Sequence, residues 1–72
     1  MRVSQLLRAM DRDDMIAIDD GDKRISSMRI YNGTVRGIKK DDPINQYHVH
    51  HIFADGDVIC ILAEKQRKEG RR

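Results

Sequence analysis

The sequence is short of almost everything that would announce a function. It has one Cys, so no disulfide scaffold can form within the chain. No apolar run approaches the ~20 residues a membrane-spanning helix needs. No apolar stretch follows the basic Arg2, so no secretory leader is visible and a cytoplasmic location is expected. There is no Walker-type loop and no G-x-G-x-x-G. The five glycines, at 21, 33, 37, 56 and 70, sit mostly in turn-like contexts. With 72 residues the chain has room for one domain and little room for a preorganised, water-excluding pocket, which speaks against an enzyme. Below roughly 70–80 residues a core rarely supplies more than ~3–5 kcal/mol of net stability, so a homodimer or higher oligomer is expected.

What is present is charge, at 36% of the residues. The net charge of +2 hides a division. Residues 64–72 hold five basic and two acidic groups, while the other 63 residues hold nine basic and ten acidic ones. The basic excess therefore belongs to a C-terminal tail, expected to be flexible, that follows a single domain over 1–63. The acidic groups cluster at Asp11, Asp13, Asp14, Asp19, Asp20 and Asp22, with Arg12 the one cation among them. That is not the uniform basic face of a duplex-DNA reader.

Val3, Leu6, Leu7 and Met10 recur at i, i+3, i+4 and i+7 and predict a short helix, with Ser4 as N-cap and the run 11–14 as its end. Two turns of helix cannot stand alone, so it must dock. MIAI at 15–18 predicts a buried strand, and residues 19–22 a turn. Residues 25–31 predict a second strand. Asn32-Gly33 predicts a tight type I′ reversal, with residues 34–38 returning. Residues 39–43 read as a loop, 47–54 as a strand, Asp55-Gly56 as a second hairpin turn, and 58–63 (VICILA) as a central strand. The expected fold is α+β: a short N-terminal helix on a mostly antiparallel sheet of about five strands, built from two hairpins.

The first hairpin would set Arg29 opposite Arg36 and Tyr31 opposite Thr34 on one face. Two facing guanidiniums are unfavourable unless something neutralises them. Asp19 or another acid of the chain would do so. Otherwise the face of Arg29, Tyr31, Thr34 and Arg36, extended by Lys39 and Lys40, is a surface for an acidic protein, a nucleotide or nucleic acid. The second hairpin would place His51 opposite Cys60, with Val49, Phe53, Val58 and Leu62. His48 and His50 would lie on the other face with Ile52, Ile59 and Ile61. The histidines then do not converge, and neither metal nor cofactor is expected. Residues 19–22 also fail as a calcium loop, because Ile16 would fall at its first ligand position. Cys60 lies in the most apolar strand, where a nucleophilic thiolate is disfavoured.

The segments VSQLLRAMDRDD, MIAIDD, YNGTVRGIKKDDPIN and IFADGDVICILAE together resemble a loose group of small proteins from phages and prophages of gut Firmicutes, over roughly residues 3–64. The resemblance implies a non-enzymatic accessory protein acting in a bacterial host cell. Such proteins include inhibitors of host defence, among them inhibitors of CRISPR effector nucleases, and others that sequester signalling nucleotides. The first expectation is thus a host-defence inhibitor working by protein–protein contact. It would act through the arginine face, or through the acidic run 11–22 as a nucleic-acid mimic. The alternatives are a nucleic-acid-binding module using Arg29, Tyr31, Arg36 and the basic tail, and an oligomeric sponge for a signalling nucleotide.

Overall fold

Met15, Ile16, Ala17 and Ile18 are apolar without a break, and such a run suits a strand covered on both faces and paired along both edges. In the computed structural model, which describes residues 1–21 and 28–65, this is where the chain puts it. Strand β1 (Met15–Asp20) lies between β2 (Met28–Thr34) and β4 (Val58–Glu64), and β3 (His48–Asp55) completes the order β2-β1-β4-β3. β1 runs antiparallel to β2 and parallel to β4, and β3 runs antiparallel to β4. The sheet therefore has four described strands rather than five, and its central pairing is parallel.

Register divides the sheet into two faces. Ile16, Ile18, Ile59, Ile61 and Ala63 share one. The six-residue helix α1 (Val3–Arg8) covers it together with the segment 35–47, which carries the chain from the β2 edge to the β3 edge. Two short 3-10 turns in that segment, Val35–Gly37 and Pro43–Gln46, bury Val35 and Ile44. Ile16, Ile18, Ile61 and Val3 are almost completely buried, each contributing roughly 1.5–3 kcal/mol of transfer free energy. The opposite face buries Ala17 and Leu62 and leaves Met15 42% and Phe53 49% exposed.

The expected reversal at Asn32-Gly33 does not form. Both residues lie within β2, where Asn32 pairs with Ala17 and Gly33 with Ile16, and neither has a positive φ. The predicted return strand 34–38 is instead the end of β2 and a 3-10 turn. Gly33 and Gly37 serve a different need, which is room for Tyr31. The Tyr31 hydroxyl donates to the Thr34 carbonyl at 2.6 Å. A Cβ on Gly33 would come within 3.0 Å of that hydroxyl, and one on Gly37 would overlap it.

Smaller departures have equally local causes. α1 starts two residues earlier than Ser4 would set it. Arg2 is the N-cap residue, and its N–H is satisfied by the Gln5 side chain at 2.8 Å. Asp19 and Asp20 continue β1 instead of turning, because β4 and β2 pair with them. Asp22 and the start of the predicted second strand lie outside the described residues, as does the tail from 66 onward. The second hairpin closes one residue later than expected, on Gly56-Asp57 with Asp55 opposite Val58. Of these two loop residues Gly56 has the positive φ, the pattern of a type II′ loop with Gly first.

Tyr31 and Gly37 supply a direct test. Gly37→Ala should cost about 1–3 kcal/mol by overpacking, read as a lower urea midpoint at unchanged slope. Adding Tyr31→Phe removes the obstructing hydroxyl, so the double variant should recover part of that loss. Strictly additive losses would contradict the packing described.

Candidate functional site

Strand β2 places the two arginines of the expected face at its opposite ends. Arg29 lies beside Asp19, where β1 ends, and its Nε donates to the Asp19 carboxylate at 2.5 Å. Arg36 lies beyond the other end of β2. Its backbone N–H donates to the Arg12 carbonyl, and its guanidinium donates to the Asp13 carboxylate at 2.7 Å. At ~3.3 Å per residue the strand between them separates the two groups widely. Both arginines are thus satisfied by acids of the chain. The hydrogen bond and the charge of Asp19 also raise the Arg29 pKa above its ordinary value. Both pairs are exposed enough to contribute little stability. Tyr31 faces Ile18 and packs on the core, and Thr34 offers its carbonyl to Tyr31. Arg29, Tyr31, Thr34 and Arg36 therefore form no common face.

The acidic run is split in the same way. Asp11, Asp13 and Asp14 precede β1, while Asp19 and Asp20 end it. Asp14 accepts from the Asp11 N–H at 3.1 Å, Asp13 holds Arg36, and Asp19 holds Arg29.

The second hairpin keeps most of its predicted faces but not its partners. The later loop moves each partner by two residues, so Phe53 rather than His51 faces Cys60, and His51 faces Leu62. A bulge at His50 then shifts the strand start. Val49 pairs with Ala63 and packs against the core, His48 lies opposite Glu64, and His50 Nε2 lies 3.2 Å from the Glu64 carboxylate. Among the described residues, no three His, Cys, Asp or Glu side chains gather as metal ligands would.

Lys39 and Lys40 lead elsewhere, to an open groove of about 580 Å³ on the helical side of the sheet. One wall is α1 and the turn after it, and the other is the segment 35–40. The walls are joined by backbone bonds from Val35 N–H to the Asp14 carbonyl (3.0 Å) and from Arg36 N–H to the Arg12 carbonyl (2.9 Å). Leu7, Met10, Val35 and Ile38 give the groove an apolar lining. Arg8 and Arg12 join Lys39 and Lys40 around it, and among the described residues no carboxylate lines it. Three acids of the same loops are engaged with protein donors: Asp13 with Arg36, Asp14 with the Asp11 N–H, and Asp42 with the Ile44 N–H. The exposed Asp11 and Asp41 are not among the lining residues. Among the described residues, none of the four cations has an ion-pair partner.

The lysine wall is held by a buried amide. Asn45 is 9% exposed, and its Nδ2 donates to the carbonyls of Lys39 (2.8 Å), Lys40 (3.1 Å) and Asp42 (3.1 Å). Sequence reasoning found Lys39 and Lys40 but not Arg8, Arg12 or Asn45. The i, i+4 spacing of Ser4 and Arg8 places both on one helix flank, but nothing local brings that flank to the lysines.

No protein-family model matches the chain, and neither does any curated protein or solved structure.

Removing the Asn45 amide should loosen the lysine wall specifically. Asn45→Ala is expected to cost about 1–3 kcal/mol by orphaning carbonyls, with faster amide exchange concentrated in 39–45. Unchanged exchange there would contradict its role.

Proposed function

We propose that the protein is a non-catalytic binding protein whose groove takes a small phosphorylated ligand with a flat apolar part, the chemistry of a nucleotide. The observation that carries the reading is the lining itself: four cations around apolar side chains, with no carboxylate among the described lining residues. Gathering like charges is unfavourable, and an anion bridging them removes that cost. Arginine forks and lysine ammoniums both suit phosphate, and the apolar lining suits a base ring. The groove volume falls within the range of small-molecule sites.

This reading supports the sponge form of host-defence antagonism, in which a signalling nucleotide is sequestered rather than hydrolysed. It replaces the paired Arg29 and Arg36 with Arg8, Arg12, Lys39 and Lys40 as the phosphate contacts. Inhibition of a defence nuclease by direct contact is the second reading. It draws on the exposed Met15 and Phe53 of the sheet face opposite the helix.

Calorimetric titration with a nucleoside triphosphate and a cyclic dinucleotide tests the proposal. Saturable binding that weakens with salt is expected. Arg12→Ala and Lys40→Ala should each weaken it about tenfold or more, the worth of a charge-assisted hydrogen bond. Arg29→Ala, whose Asp19 partner lies away from the groove, should leave it unchanged. No binding of either nucleotide at low salt would overturn the sponge reading. Binding of single-stranded DNA alone, with a steep salt slope, would favour a nucleic-acid module instead.

A further inference from the structure

Among the described strands β3 lies at an edge of the sheet, and described residues occupy its outer side along only part of its length. Val3 N–H donates to the Tyr47 carbonyl at 2.9 Å and Val49 N–H donates to the Met1 carbonyl at 2.8 Å, so the N-terminal residues cover 47–49. Residues 50–55 are exposed, and no other described element pairs with them. That stretch, HHIFAD, contains neither Lys nor Pro, the residues that commonly guard an edge. Ile52 is 42% and Phe53 49% exposed, on opposite faces of the strand. The bulge at His50 bends the strand only at the start of this window.

The hairpin fixes which backbone groups are free. Residues flanking a two-residue loop exchange both backbone hydrogen bonds, and the pattern alternates along the strand. With Asp55 opposite Val58, the backbone groups of Asp55, Phe53 and His51 turn toward β4. Those of Ile52 and Ala54 turn outward.

We propose that this edge pairs with the same edge of a second copy, antiparallel about a two-fold axis through Phe53, giving a continuous eight-stranded sheet. A two-fold axis normal to a sheet keeps its faces, so opposed residues must share a face. The axis at Phe53 sets Phe53 against Phe53 of the second copy, in the close, non-hydrogen-bonded spacing. The outward backbone groups of Ile52 then meet those of Ala54, twice. His51 stands opposite Asp55 of the second copy, also twice, so each strand's imidazole end meets the other's carboxylate end. This donor–acceptor complementarity, an imidazole N–H opposite a carboxylate at both ends, selects the second copy as occupant and Phe53 as the axis. An axis at Ile52 would oppose His51 to Phe53 and would carry Asp55 onto Val49, whose N–H already belongs to Met1. The contact is smaller than a standard interface, so the dimer dissociates on dilution.

Sedimentation velocity over a concentration series, with cysteine cross-linking of the full chain, tests this. Mass should double with concentration. Ala54→Pro removes an outward N–H and no bond within the sheet, and Phe53→Lys adds a guarding charge. Both should remain folded by circular dichroism and abolish association. In a Cys60→Ser background, which removes the thiol opposite residue 53, Phe53→Cys should form an intermolecular disulfide readily and Ile52→Cys should not. A monomer at every concentration would overturn the proposal. So would association that survives both edge variants, or cross-linking that favours position 52.

Discussion

The pairing of β1 between β4 and β2 is the constraint on which the rest of this fold depends. β1 is short, apolar and bonded on both sides, parallel to β4 and antiparallel to β2. Once β1 claims β2 as a neighbour, β2 cannot also fold back on itself at Asn32-Gly33. The energetic comparison favours that outcome. A reversal would oppose Arg29 to Arg36 and leave one edge of β1 without backbone partners. Extension along β1 satisfies that edge, gives Arg29 to Asp19 and Arg36 to Asp13, and sends Val35 into the core at 8% exposure.

The same constraint creates the groove. Because β2 ends at one edge and β3 begins at the other, the segment between them must cross the helical face beside α1. Backbone bonds from 35 and 36 to 14 and 12 fix how closely it passes. Six of the eight described Lys and Arg residues consequently fall into two sets. Arg29 and Arg36 are paired within the fold. Arg8, Arg12, Lys39 and Lys40 surround an apolar depression that no described carboxylate lines. No residue of β3 lines that depression, so ligand binding and edge pairing occupy separate parts of the surface.

Features encoded locally were legible in the sequence. The apolar runs of β1 and β4, the helical spacing of Val3 and Leu7, and the Gly56 hairpin depend on neighbours a few residues away. Asn32-Gly33 was misleading because the identical dipeptide suits a reversal or, where a tyrosine needs space, a strand. Only the distant partner, β1, decides between them. The His50 bulge has no sequence signature, yet it turns Val49 inward. Lys39 and Lys40 were visible as charges. Their proximity to Arg8 and Arg12 was not, since it depends on contacts between segments more than twenty residues apart.

Cross-strand NOEs in solution test the central claim most directly. The account predicts contacts of Asn32 with Ala17 and of Gly33 with Ile16, together with a parallel pattern between Ile16 and Ile59. Contacts of Ile30 with Val35 across a reversal at Asn32-Gly33, without those to β1, would contradict it.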